Sequence, residues 1–139
     1  MADGKHTDVT EKVIEAFFNV YNTLGYGFAE KVYQNALVIE LVALGLAVES
    51  QKQITVRYSG RIVGEFWADV VVNGVVIVEL KAAQRLLDEH EAQLLNYLKA
   101  TPIEVGLLLN FGPRAELKRK VYDNDRKGSL SWTRTEPSG

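Results

Sequence analysis

Two carboxylates and a lysine stand in a segment that is otherwise almost wholly aliphatic. They are Asp69, Glu79 and Lys81, in a run from 69 to 81 filled mainly by Val, Ile and Leu. Runs of this kind belong to strands buried on both faces. An ionised group there is costly unless it is paired or binds a metal. Glu79 and Lys81 are two apart, so on one strand they point the same way. Such a set suits a divalent-metal hydrolase. Asp69 and Glu79 would hold Mg²⁺ (or Mn²⁺) through hard oxygens, with the Leu80 backbone carbonyl as a third ligand. The cation would lower the pKa of a bound water and neutralise charge on a phosphate, while Lys81 orients that water or stabilises the developing charge. The competing reading is a salt bridge at a strand end.

Three further groups accompany this set. Gln93 and Tyr97 are four apart and His90 lies three before Gln93, so the three share one face of a helix. Gln93 and Tyr97 offer donors to a phosphate, and His90 could bind phosphate or assist proton transfer. Against this, Tyr97 could equally be a packing residue, and a lone helical histidine is commonly just surface. Glu30 and Tyr33 follow Gly27 at the start of an earlier helix, where a carboxylate is routinely a dipole partner.

The elements that must position these residues follow from periodicity. Asp8 with Glu11 reads as a capping box. Val13, Phe17, Val20, Tyr21 and Leu24 then recur at helical spacing as far as Gly25. A second helix runs from Ala29 to Leu44, before Gly45. Strands are expected at Val48–Tyr58, Arg61–Val72 and Val75–Lys81, with turns at Ser59-Gly60 and Asn73-Gly74. A helix from Leu87 to Lys99 stops at Thr101-Pro102. Glu104–Phe111 reads as a central fourth strand, and Glu116–Tyr122 as a fifth. The order predicts an α/β sandwich around a mixed sheet, with a right-handed helical crossover joining parallel strands three and four.

Register decides whether the acids can meet. A two-residue turn at Asn73-Gly74 pairs Asp69 with Val78 and sends Asp69 and Glu79 to opposite faces. A three-residue loop with Gly74 left-handed is expected to pair Asp69 with Ile77, leaving Glu79 as its diagonal neighbour. A metal site therefore predicts a bulged hairpin, or a bulge nearer Asp69.

Bulk properties restrict the class. At 139 residues the chain is expected to form one domain, with a core over about 8–122 and poorly ordered tails at 1–7 and 123–139. Without cysteine it has no disulfide, thiolate metal site or cysteine nucleophile. No apolar run approaches a membrane span and the first residues lack a secretory core, so a cytoplasmic, globular protein is expected. A net charge of −2 gives no global attraction to nucleic acid. The segment 114–127 holds Arg114, Lys118, Arg119, Lys120, Arg126 and Lys127, a strip able to contact phosphates or to remain a solvated surface.

Gly27-Phe-Ala-Glu30-Lys-Val-Tyr33 matches a G-x-x-E-x-x-Y signature. With Tyr58-Ser-Gly60, Asp69, Glu79-Leu-Lys81, Gln93-Leu-Leu-Asn-Tyr97 and Gly106-Leu-Leu-Leu-Asn-Phe-Gly112, the chain resembles the GxxExxY family of the PD-(D/E)xK nuclease superfamily over about residues 8–122. The resemblance implies a restriction-endonuclease-like α/β core with a mixed sheet of four to five strands and flanking helices. It implies Glu30, Asp69, Glu79 and Lys81 as catalytic residues, with the acids on Mg²⁺ or Mn²⁺ and the lysine serving the water. It also implies Gln93 and Tyr97 as the Q-x-x-x-Y element that touches DNA or the metal site in exonuclease-type members. Trp67, close before Asp69, is a bulky neighbour expected to narrow access. The expected function is a metal-dependent phosphodiesterase acting on DNA, possible as a homodimer. The alternative is a non-catalytic nuclease-fold module binding nucleic acid or a protein partner.

Overall fold

The computed structural model describes residues 4–128. Its elements are α1 (Thr7–Leu24), α2 (Glu30–Ala43), β1 (Val48–Tyr58), β2 (Arg61–Val72), β3 (Val76–Lys81), α3 (Asp88–Lys99), β4 (Val105–Phe111) and β5 (Ala115–Val121), followed by a 3-10 turn at Asn124–Arg126. The strands form one sheet in the order β1-β2-β3-β4-β5. Only β3 and β4 are parallel, and α3 connects them. The middle strand is thus β3, with β4 interior beside it. No helix among the described residues is long and apolar enough to cross a membrane.

Helices cover both faces. Val9, Val13, Phe17 and Val20 of α1 recur every three or four residues, as do Tyr33, Leu37 and Leu41 of α2. Both stripes pack on Val70, Val72, Val76, Val78, Leu80, Leu107 and Leu109. Leu94, Tyr97 and Leu98 of α3 pack on the other face, against Ile54, Ala68, Val71, Ile77 and Leu108. A sheet sandwiched in this way reads as the near-continuous aliphatic sequence of β3 and β4. The second helix ends where Gly45 takes φ 84°, letting the Leu46 N–H return 3.1 Å to the Leu41 carbonyl.

Several local expectations are corrected. Asp8 lies inside the first turn of α1 and does not cap it; the cap position is His6, which makes no side-chain cap bond. The chain is ordered past 123: the Lys127 Nζ donates to the Thr101 and Ile103 carbonyls, at 2.8 and 2.9 Å. Burial pushes that amine down to about 8, against the opposing pull of Glu104 and Asp123. Residues 1–3 and 129–139 lie outside the described residues, so the expectation for those ends concerns segments not described. Much of the basic strip is spent internally. Lys120 pairs with Glu91, Arg119 donates to Thr10 and the Lys5 carbonyl, and Arg126 lies over the Tyr122 ring.

The β2–β3 hairpin has the three-residue connection. Val72 pairs with Val76, leaving Asn73, Gly74 and Val75 as the loop, with Asn73 at φ 51° and Gly74 at φ 67°. The expected pairing of Asp69 with Ile77 does not follow from it. Val70 pairs with Val78, so one step further Asp69 faces Glu79 directly.

Candidate active site

The ladder between β2 and β3 stops at Val70 and Val78, and the acids stand where the two strands part. Each carboxylate takes over a backbone donor that the missing ladder would have satisfied. The Asp69 N–H donates to Glu79 Oε2 at 2.7 Å, and the Leu80 N–H donates to Asp69 Oδ2 at 2.9 Å. Among the described residues Asp69 Oδ1 and Glu79 Oε1 have no protein donor, so each acid keeps an oxygen for a ligand. Leu80 brings its N–H, rather than its carbonyl, to Asp69.

A second irregularity sits at the same place. Ala68 and Val71 both pack on the α3 face although they are three apart, while Val70 and Val72 pack on the opposite face. Strict alternation forbids this, so the alternation of β2 breaks between Ala68 and Val70; that of β1 breaks opposite it, with Val48 on one face and Ile54 on the other. The β1–β2 ladder runs through Ser50–Val70 and Lys52–Ala68 but omits Gln51 and Asp69, and Gln51 has φ 52°. One residue is skipped on each strand, so the β1–β2 register is the same on either side of Asp69; the register shift of this ladder lies between Val56 and Arg57, and the expected bulge near Asp69 is not what brings the acids together.

Glu79 is the electrostatic centre. It is 5% exposed. Burial pushes its carboxyl up to about 8, and the Asp69 charge adds to the rise. The Asp69 N–H and the Lys81 charge pull it back, and Glu30 raises it slightly. The other three candidate catalytic residues, Asp69, Lys81 and Glu30, are therefore all within electrostatic reach of Glu79. Lys81 is half-buried two residues along β3, and among the described residues its ammonium makes no hydrogen bond or ion pair. The simple salt-bridge reading has no support in this geometry.

Glu30 reaches the site through Tyr33. The Tyr33 hydroxyl donates to the Gly25 carbonyl at 2.7 Å and accepts the Phe28 N–H at 3.2 Å. Its ring stacks on Phe111 at 4.3 Å. A fully buried tyrosine thus staples the Gly25–Phe28 loop and sets the first turn of α2, where Glu30 sits exposed.

On α3, Tyr97 is pushed up to about 12 by burial and by the charges of Glu79 and Asp69. Its hydroxyl therefore stays protonated, a donor, at neutral pH. Gln93 is exposed and lines one groove with Tyr97. His90 is placed differently: its Nδ1 accepts the Leu87 N–H at 3.0 Å and caps the start of α3. Trp67 does not narrow the α3 side. Phe66, its neighbour, stacks on Tyr97 at 3.8 Å and shapes the groove there.

Asn110, Gly112 and Phe66 were missed as site residues by sequence reasoning. Asn110 is fully buried opposite Lys81 on β4. It accepts the Ala83 N–H at 2.9 Å and donates to the Ala83 carbonyl and to Glu116 Oε1, both at 3.0 Å. Glu116 also accepts the Leu86 N–H. Together they clamp the loop after Lys81. One polar residue in the run Leu107–Phe111 was the available signal. A Cβ on Gly112 would lie 2.2 Å from the Ala83 carbonyl. Gly112→Ala is expected to destabilise the fold by about 3 kcal/mol, because backbone must move; urea unfolding measures it, and an unchanged midpoint would show that the loop yields freely.

A family model matches residues 7–121: that of the PD-(D/E)XK nuclease superfamily. The chain belongs to this superfamily. Among solved structures, the crystal structure of SSO0001 is similar, with a TM-score of 0.55 and 19% identity, over 67% of this chain and 50% of that one. That likeness concerns the fold, and this chain spans about half the length of SSO0001. No protein of curated function matches significantly. Membership is consistent with the restriction-endonuclease-like α/β architecture, in a superfamily of nucleases that generally use divalent metals.

Proposed function

We propose that the protein is a divalent-metal-dependent phosphodiesterase that hydrolyses DNA, in the GxxExxY branch of the superfamily and in a cytoplasmic setting. One observation carries this reading: Asp69 and Glu79 come together at the fork of β2 and β3, the Asp69 N–H donating to Glu79 and the Leu80 N–H to Asp69, beside a Lys81 ammonium with no ion-pair partner among the described residues. The donor set fits Mg²⁺ or Mn²⁺. Two carboxylates with free oxygens are what Mg²⁺ takes when it keeps most of its waters. Burial of Glu79 beside Asp69 makes its ionised form costly, a cost that a cation would offset.

Asp69 and Glu79 would hold the cation, with the Leu80 carbonyl as a further oxygen and Glu30, whose charge is felt at Glu79, as an outlying carboxylate. When bound, the cation supplies a water of lowered pKa and neutralises charge on the phosphate. Lys81 places its ammonium against the attacking water and the charge that develops on the phosphoryl oxygens. The Tyr97 hydroxyl and the Gln93 amide donate to the substrate strand, and His90 offers its remaining nitrogen at the start of α3.

Purified protein incubated with single- and double-stranded DNA should cleave it in Mg²⁺ or Mn²⁺ and not in EDTA. Failure on every substrate in both metals would sink the enzymatic reading. The alternative, a non-catalytic nucleic-acid-binding module, draws on the sparse ligand set: among the described residues no group of three or more His, Cys, Asp or Glu is gathered for a metal. Such a module would bind DNA in a salt-dependent way without turnover, and its melting temperature would ignore Mg²⁺.

A further inference from the structure

The α3 side of the β1–β2 hairpin carries a groove of about 520 Å³ that the acid–lysine set leaves unused. An aromatic pair lines it, Phe66 and Tyr97, stacked with 18° between ring planes. Phe66 lies three residues before Asp69 on β2. Tyr97 feels the charges of both acids, so the groove opens beside the catalytic set. Its helical wall presents two exposed amides, Gln93 and Asn96. Each amide carries donors and an acceptor. The charged side chains at its margin are one of each sign, Glu89 and Lys99. A groove with no net charge is unsuited to a phosphate but suited to a neutral, flat, hydrogen-bonding group.

We infer that this groove receives an unpaired nucleobase of the substrate, packed against the Phe66–Tyr97 pair and met at its edge by Gln93 and Asn96. The inference rests on the phosphodiesterase reading and names its substrate class: single strands, or duplex ends that fray. A base inside a closed duplex has both faces covered and its pairing edge occupied, so it can use neither the rings nor the amides without being extruded. The division of labour is electrostatic. The backbone phosphate goes to Lys81 and the cation, and the neutral base goes to the groove.

The test uses the full chain with Ca²⁺ in place of Mg²⁺ and a single-stranded oligonucleotide carrying 2-aminopurine. Binding should change the probe's fluorescence. Phe66→Leu keeps the apolar bulk but removes the ring face, and should weaken single-strand binding roughly 5- to 100-fold. Gln93→Ala, at an exposed position that cannot unfold the core, should weaken it too. A duplex closed at both ends should bind more weakly than the single strand and be indifferent to Phe66→Leu. Unchanged single-strand affinity and fluorescence in both variants would overturn the inference, as would equal binding of closed duplex by the parent. The two readings fail separately. Base-dependent binding without cleavage in Mg²⁺ keeps the groove and removes the enzyme; cleavage with KM unaltered by Phe66→Leu keeps the enzyme and removes the groove.

Discussion

The Lys81→Ala protein is expected to cleave DNA at least 10²–10³-fold more slowly than the parent, the usual cost of losing one preorganised charged donor at a reacting phosphate. Its fold should survive. Lys81 is half-buried and makes no ion pair among the described residues, so little folding energy depends on its ammonium. Its backbone place is held by pairing with Asn110 of β4. A second effect accompanies the first: the Lys81 charge favours ionised Glu79, so the variant should need more Mg²⁺ for whatever activity remains. Lys81→Arg keeps the charge but exchanges a compact donor for a planar fork. It should restore the metal requirement more fully than the rate. Single-turnover cleavage across a Mg²⁺ titration separates the two effects. A variant that melts earlier yet cleaves normally would assign Lys81 to structure instead.

Glu79 gives the second large effect, and its sign follows from burial. Its carboxyl titrates near 4.5 in the unfolded chain and about 8 in the fold, burial being the main cause. Below 4.5 both states hold the proton and the contribution to stability is complete. Between the two values the unfolded chain releases its proton while the folded one keeps it, so metal-free stability declines as pH rises and levels off above about 8. The loss should be on the order of 3 kcal/mol, since water penetration and relaxation absorb part of the nominal cost. Glu79→Gln cannot ionise, and its side-chain oxygen can still accept the Asp69 N–H. In EDTA at alkaline pH it should melt above the parent. Added Mg²⁺ should raise the parent's melting temperature and leave Glu79→Gln unmoved. Asp69→Asn should also lose the metal-dependent rise. A parent whose EDTA stability is flat across this range, or a Glu79→Gln protein that Mg²⁺ stabilises equally, would show that Glu79 does not meet the cation.

Stability and activity pull against each other at this one carboxylate. An apolar residue at position 79 would complete the aliphatic face of β3, and the two strands could pair past Val70 and Val78. The strands part where the acids stand, and the backbone donors at Asp69 and Leu80 are met by the carboxylates themselves. The irregular backbone and the candidate chemistry therefore share one place in the fold.

Much of the architecture was legible from residue order. Strand and helix limits fell within a residue or two, because the stripes of α1 and α2 and the aliphatic runs of β3 and β4 are patterns that only one period satisfies. The chemistry of Asp69, Glu79 and Lys81 was legible for a related reason: charge amid Val, Ile and Leu is costly, so its presence is information. The left-handed cap at His6 was not legible, since a cap depends on local backbone geometry that several polar residues near a helix start could satisfy. Nor was the internal use of the basic strip, because Glu91, Thr10 and the Lys5 carbonyl come to it from elements distant in sequence.

Sequence alone determined which elements form, which residues carry charge into the sheet, and the superfamily-like order of the motifs. Tertiary structure decided whether those charges meet. The matched break of alternation at Gln51 and Asp69 leaves no mark in the one-dimensional pattern, because a change of face is invisible until both strands pack. The stacking of Phe66 on Tyr97 and the clamp of Asn110 on Ala83 likewise join residues 31 and 27 positions apart. Contacts at that separation are set by how strands and helices dock, and docking is a property of the whole fold.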